Sequence, residues 1–195
     1  MKLIKCRRSI LILISLALIF ALGLMASIAQ EKEIRDFLKS KVPTPGEQAT
    51  GGTLKFKFYS YVTQDESLPA GDVEGHMLSL TTRRAFCILE NGEIATEVAV
   101  QTRDLVKGSG SAIQYRTMTF ADGSTIMVKA QTTVEGTAAG ISKARTTREI
   151  IKGTGRFQGI KGTGTSAAKY LPLEKGELGP KGIGEGTLTY TLPSK

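Results

Sequence analysis

Residues Gly153–Gly164 read GTGRFQGIKGTG, and this stretch decides which fold the rest of the chain can adopt. Five glycines in twelve residues could form a phosphate-binding loop or bend a β-strand. The spacing matches neither the dinucleotide-binding fingerprint nor a P-loop, which would end in Lys-Ser or Lys-Thr. A β-branched segment, Arg145–Ile151, precedes the run, and a short run with β propensity follows it. We therefore predict that the glycines are kinks and bulges in the strands of a β-barrel.

Alternation of apolar and polar residues dominates the chain from Thr53 onward. The dipeptides Asn91-Gly92 and Asp122-Gly123 lie between alternating segments and predict two tight hairpins. No long helical segment interrupts the strands, which excludes a parallel sheet of βαβ units. The predicted fold is all-β, a closed antiparallel barrel of about eight strands.

The C-terminal part of the barrel is predicted to hold two strands, around Arg156–Ala168 and at Gly186–Leu192. Between them, Leu171–Glu185 contains two prolines and four glycines, a composition typical of a loop. We expect this loop to fold across one mouth of the barrel.

The N-terminal residues 1–29 have the pattern of a signal peptide. Four basic residues precede the apolar segment Ile10–Met25, and small residues follow at Ser27-Ile28-Ala29. Cleavage would give an exported protein, periplasmic or secreted, without stable membrane association, whereas an uncleaved segment would be a membrane anchor. Residues 30–52 are predicted to form a short amphipathic helix and a linker, with a disordered N-terminus as the alternative. The barrel domain is assigned to residues 53–195.

Charge and cysteine content exclude several classes of function. The net charge of +8 includes four basic residues of the signal segment, and its removal leaves +4. The remaining basic residues are scattered, which argues against a nucleic-acid partner. Only Cys87 remains after cleavage, so no intramolecular disulfide can form, and its apolar neighbours predict a small buried side chain.

The glycine run, together with the hairpin around Asp122-Gly123, resembles the signature of the dirigent and allene oxide cyclase-like barrels. Exported bacterial proteins of that group have a similar hairpin. The resemblance covers roughly Thr53–Pro193 and implies an eight-stranded barrel with a central cavity, often a dimer or trimer. In plant relatives the cavity holds an apolar oxylipin or a phenolic radical, and the barrel steers stereochemistry. The catalytic residues of those relatives have no counterpart here, because the only mature asparagine is Asn91, in a turn.

Four residues are candidates for ligand binding: His76, Glu97, Tyr115 and Arg148. Alternation places His76 on the same face as Leu78 and Leu80, which predicts an inward imidazole, although a position on the rim is the alternative. Glu97 and Arg148 could face the interior as a mutual ion pair or face solvent.

The glycine motif itself is assigned a structural role. Its members are Gly153, Gly155, Phe157, Gly159 and Gly162, with Phe157 as a core anchor and with Arg156 and Lys161 exposed. We predict no catalytic set, no metal site and no cofactor.

The small side chains of Thr132–Ala144 and Thr163–Ala168 favour free space in the barrel. The expected function is non-catalytic, either binding of a small apolar or amphipathic molecule or a structural and interaction role, and the chain could form a homo-oligomer. The alternative is a cofactor-free isomerase or cyclase, or a protein that steers stereochemistry, of the allene oxide cyclase and dirigent type. An isomerase would need an inward carboxylate or histidine with a shifted pKa in a dry cavity, and His76 in one pocket with Glu97 or Glu149 would favour it.

Overall fold

The computed structural model describes residues 51–136 and 141–193, which lie within one compact unit, Thr44–Lys195. These residues form a closed antiparallel barrel in which each strand pairs with the next. Gly51–Ser60 pairs with Gly182–Thr191 and closes the sheet. The eight strands are β1 (Gly51–Pro69), β2 (His76–Leu89), β3 (Ile94–Val106), β4 (Ser109–Phe120), β5 (Thr125–Gly136), β6 (Ser142–Thr154), β7 (Lys161–Tyr170) and β8 (Gly182–Thr191).

The all-β barrel predicted from the alternation is therefore confirmed, and both predicted hairpins are present, between β2 and β3 and between β4 and β5. The predicted signal helix and residues 30–50 lie outside the described residues, while Gly51 and Gly52 belong to β1. Within the described ranges, no helix is long and apolar enough to cross a membrane.

The glycine run spans the connection between β6 and β7 and includes the end of one strand and the start of the other. Its first two residues end β6, Gly155–Phe157 form one turn of 3₁₀ helix, and β7 begins only at Lys161. The strand predicted from Arg156 is thus wrong at its start. The reason is that Gly155 and Gly159 have φ angles of 58° and 77°, which turn the chain so that Phe157 is buried in the core.

The last strand begins at Gly182, inside the segment predicted as a loop. Glycines 182, 184 and 186 belong to this strand because their missing side chains leave room for interior aromatic rings. A Cβ at Gly184 would lie 2.6 Å from Cζ of Phe58, and one at Gly186 would lie 2.6 Å from Cζ of Phe56. These glycines leave no free space in β8, since the rings of Phe56 and Phe58 occupy it.

The two ends of the barrel differ in chemistry. The apolar end carries the connections at residues 90–93, 121–124 and 155–160, and it encloses a cluster that includes Phe56, Phe120 and Phe157. Phe120 and Phe157 stack with ring centroids 4.8 Å apart. The polar end carries the connections at residues 70–75, 107–108 and 171–181. Buried polar and charged side chains fill the interior between this end and the middle of the barrel.

Candidate ligand-binding site

Glu97 and Arg148 meet inside the barrel, from β3 and β6. Arg148 Nη1 donates to Glu97 Oε2 at 2.9 Å, and Arg116 Nη1 of β4 donates to the other carboxylate oxygen. All three side chains are buried. Burial alone would raise the pKa of Glu97, but the charges and hydrogen bonds of Arg116 and Arg148 hold it below its ordinary value. Glu97 is therefore a carboxylate with both oxygens occupied.

Two glutamines extend this ion-pair cluster toward the polar end. Arg116 Nε donates to Gln114 Oε1 at 2.5 Å, and Gln114 Nε2 donates to Gln101 Oε1 at 2.7 Å. Arg148 also donates to Ser166 Oγ of β7 at 3.3 and 3.4 Å, so the network reaches across the interior. Such buried networks rigidify the side chains that they connect.

A second polar layer lies nearer the mouth of the polar end. Arg83 of β2 donates from Nη2 to the Pro180 carbonyl at 2.8 Å and to Ser60 Oγ at 3.2 Å. Its guanidinium carbon lies 4.8 Å from the centre of the Tyr170 ring. Arg103 of β3 pairs with Asp65, which also accepts a hydrogen bond of 2.7 Å from Thr81. The bond to Pro180 holds loop 171–181 at this mouth, where the sequence predicted a loop.

The described interior of the polar half contains more positive than negative charge. Its four guanidinium groups belong to Arg83, Arg103, Arg116 and Arg148, and its two carboxylates belong to Asp65 and Glu97. Three of the arginines have a carboxylate partner within 4 Å, and Arg83 has none among the described residues. Burial lowers the pKa of Arg83, and the positive charges of Arg116 and Arg103 lower it further.

His76 does not enter the interior, so the predicted inward orientation is wrong. In β2 the buried side chains are those at odd positions from Ser79 to Leu89, whereas Leu78 and Leu80 face solvent. His76 instead lies at the rim, where Nδ1 is 2.6 Å from Asp72 Oδ1 and Nε2 is 2.8 Å from Asp104 Oδ1. These hydrogen bonds, the one to Asp104 first, raise its pKa.

Tyr115 lies on the outer wall and is 52% exposed. It is therefore not placed with Glu97 and Arg148, and the four candidates do not form one site. Cys87 is fully buried, as predicted, and burial raises the pKa of its thiol to about 12. A thiol of this kind is neutral near pH 7 and is not an activated nucleophile.

Arg83, Arg103 and Arg116 were not among the site residues predicted from the sequence. Arg83 shares the inward face of β2 with Ala85 and Cys87, and Arg116 shares that of β4 with Met118. This shared parity was a usable signal. A buried arginine is stable only when other strands supply hydrogen-bond or charged partners, and the pattern within one strand does not show whether they do.

Clefts on the outer wall do not contain the candidate residues. One cleft of about 1340 Å³ is lined by residues such as Ile88, Ile113 and Thr165, and another of about 470 Å³ by residues such as Lys143 and Ile183. In the part of the chain that the structure describes, no three His, Cys, Asp or Glu residues are placed to hold a metal ion.

Comparisons with known proteins give a likeness of fold. No family model and no curated protein matches the chain. Two pterocarpan synthase dirigent proteins of known structure are similar to it, each with a TM-score of 0.45. The first is 15% identical over 74% of this chain and 87% of its own, and the second is 18% identical over 76% and 99%. At these values, the likeness says nothing about the activity of this chain.

Proposed function

We propose that this chain is a non-catalytic binding module that takes a small amphipathic molecule at the polar end of its barrel. The observation that carries the proposal is the clamping of Glu97, the buried interior carboxylate of β3, between Arg116 and Arg148. A general base in a dry site needs a raised pKa and a free oxygen, and Glu97 has neither.

The other titratable groups support the same proposal. Cys87 is a neutral thiol, and His76 is occupied at the rim by Asp72 and Asp104. The isomerase alternative would be favoured by His76 in one pocket with Glu97 or Glu149. Glu149 is exposed on the outer wall, and the hydrogen bonds of Glu97 run to arginines of β4 and β6.

The difference between the two ends favours the polar end as the binding end. Aromatic rings and Arg156 fill the apolar end, where the Arg156 guanidinium lies 4.7 Å from the Phe120 ring and 4.9 Å from the Phe157 ring. At the polar end, several inward side chains of β4 to β7 are small, and they lie across the interior from the long polar side chains of β2 and β3. The small ones are Ala112, Thr132, Ala144, Thr146, Ser166 and Ala168.

Export belongs to the proposal as well, with residues 1–29 as a cleaved signal peptide. Intact-mass measurement of the protein purified from its native host tests it, and a mature chain that begins at Gln30 is the expected result. Retention of residues 1–29 in a membrane fraction would favour the anchor instead.

Binding without conversion is tested by incubating the protein with octanol and octyl phosphate, followed by native mass spectrometry and NMR of the recovered ligand. We expect a complex of at least one of them and chemically unchanged ligand. The same spectra give the subunit number. Conversion of the ligand that Glu97→Gln abolishes and the exposed control Glu149→Gln spares would contradict the proposal.

A further inference from the structure

Arg83 has an unusual environment for a buried guanidinium group. It is 4% exposed, and its hydrogen-bond partners among the described residues are the Pro180 carbonyl and the Ser60 hydroxyl, both through Nη2. Neither acceptor carries a charge. A buried charge without an opposite charge is unfavourable, because burial removes its hydration. The Tyr170 ring compensates in part by a cation–π contact.

Arg103 supplies a second unused donor in the same layer. Asp65 binds its Nη2, but its buried Nε has no hydrogen-bond partner among the described residues. Buried nitrogen atoms without a partner are rare in native proteins and call for an explanation such as a missing ligand. Arg103 and Arg83 project inward from the neighbouring strands β3 and β2, and the positive charge of Arg103 acts on Arg83.

The geometry points to an oxyanion site between the guanidinium groups of Arg83 and Arg103, which takes a phosphate or carboxylate group. This inference rests on the proposed function and names the chemistry of the ligand's polar group. Guanidinium groups bind such oxyanions through charge-assisted, often bidentate, hydrogen bonds. The charge of Asp65 favours the charged form of Arg83 without a salt bridge between them. An anion there would therefore supply the direct carboxylate or phosphate contact that Arg83 lacks among the described residues, and it would accept a hydrogen bond from Arg103 Nε.

Binding of an oxyanion at this site would also affect loop 171–181. The Arg83 hydrogen bond to Pro180 connects it to loop 171–181 at the mouth, and Tyr170 at the end of β7 lies against the same guanidinium. A bound oxyanion competes with the Pro180 carbonyl for Arg83 donors. The amide signals of Tyr170 and Lys181 are therefore expected to shift on binding.

Isothermal titration of the full chain tests the site with three probes: octyl phosphate, octanol and inorganic phosphate. Octyl phosphate is expected to bind at least about tenfold more tightly than octanol, and inorganic phosphate to compete with it, as charge-assisted hydrogen bonds require. If octyl phosphate binds more tightly than inorganic phosphate, the site takes the headgroup of an amphiphile. If the two bind with equal affinity, it takes a free oxyanion. Both outcomes support the site.

Variants locate the binding. Arg83→Gln and Arg103→Gln are each expected to weaken octyl phosphate by about 10-fold to 100-fold. The matched control is Arg84→Gln, because Arg84 is the next residue of β2 and faces solvent. It is expected to leave the affinity unchanged. The competition by inorganic phosphate needs no variant, so the test stands even where a variant fails to fold.

Two outcomes would overturn the inference, and they separate it from the proposed function. If octanol binds as tightly as octyl phosphate and Arg83→Gln changes neither, the oxyanion site is wrong while the binding module stands. If neither amphiphile binds, both are wrong.

Discussion

Glu97 sets the charge balance of the barrel interior at the scale of single residues. Its carboxylate is the partner of two buried arginines, so its removal leaves both without a counter-charge. Breaking a buried ion pair on one side is far more costly than replacing the whole cluster by apolar side chains.

Glu97→Gln is accordingly expected to lower the free energy of unfolding by about 3–5 kcal/mol, measured by urea denaturation. The control Glu149→Gln, on the exposed face of β6, is expected to change it by less than about 0.5 kcal/mol. Equal effects of the two substitutions would show that the buried cluster does not form.

His76 gives the rim a dependence on pH. Hydrogen bonds to Asp104 and Asp72 favour its protonated form and raise its pKa in the folded state. The stabilisation is therefore complete below the unfolded-state value of about 6.5 and is lost as pH rises through the higher folded-state pKa. Lys107 and Glu74 form a neighbouring ion pair that contains no histidine.

The difference in Tm between the wild type and His76→Gln is thus expected to be largest below the unfolded-state pKa of about 6.5 and to shrink as pH rises through the higher folded-state pKa. Lys107→Gln serves as the control, with a difference that stays constant over the same range. A pH-independent effect of His76→Gln would mean that the two aspartates do not hold a charged imidazole.

Glycines determine how the elements of the C-terminal half fit together. In β8 they face the interior and leave space for aromatic rings, whereas in the β6–β7 connection they turn the chain. The two roles give different results on substitution.

Gly186→Ala is expected to destabilise the barrel by about 1–3 kcal/mol, because the new methyl group would collide with Phe56 and lie 3.0 Å from Cβ of Ser166. Gly176→Ala, in loop 171–181, is the comparison. Its φ of 88° is unfavourable for alanine, but no atom lies within 4 Å of the added Cβ. The smaller side chain of Phe56→Leu is expected to restore part of the stability lost in Gly186→Ala, but none of that lost in Gly176→Ala. If thermal melts show no such recovery for Gly186→Ala, the ring of Phe56 does not pack against Gly186.

Arg156 holds the glycine-rich connection to the apolar end. The sequence predicted an exposed side chain, and this is wrong, since Nη2 donates to the buried Glu93 at 2.6 Å and the guanidinium covers two aromatic rings. Its main-chain N–H also donates to Ser124 Oγ at 3.1 Å. Lys161 is exposed, as predicted.

Removal of this side chain leaves Glu93 without its partner. Arg156→Ala is expected to lower the free energy of unfolding by about 1–3 kcal/mol, whereas Lys161→Ala is expected to change it little. Chemical denaturation of Arg156→Ala and Lys161→Ala under the same conditions measures this difference. Equal free energies of unfolding for the two variants would contradict the contact between Arg156 and Glu93.

For the whole molecule, the sequence was sufficient for the closed barrel and its hairpins, because alternation and the two Asn-Gly and Asp-Gly turns are local signals. It failed where a feature depends on distant residues. Gly182–Gly186 looked like loop sequence because the rings of Phe56 and Phe58 that fill its space lie on β1. The sequence allowed Glu97 and Arg148 either to pair inside the barrel or to face solvent. Parity alone indicates that Arg83 and Arg116 face inward, but their partners on other strands became visible only once the strands were assembled.

The central claim is that ligands bind at the polar end of a non-catalytic barrel. Amide chemical-shift mapping of the isotope-labelled protein during titration with octyl phosphate tests it most directly. The expected result is a set of shifts confined to Ser60, Arg83, Arg103, Tyr170 and loop 171–181. Shifts confined to the outer wall around Ile88, Ile113 and Thr165, or to the apolar end around Phe157, would contradict the claim.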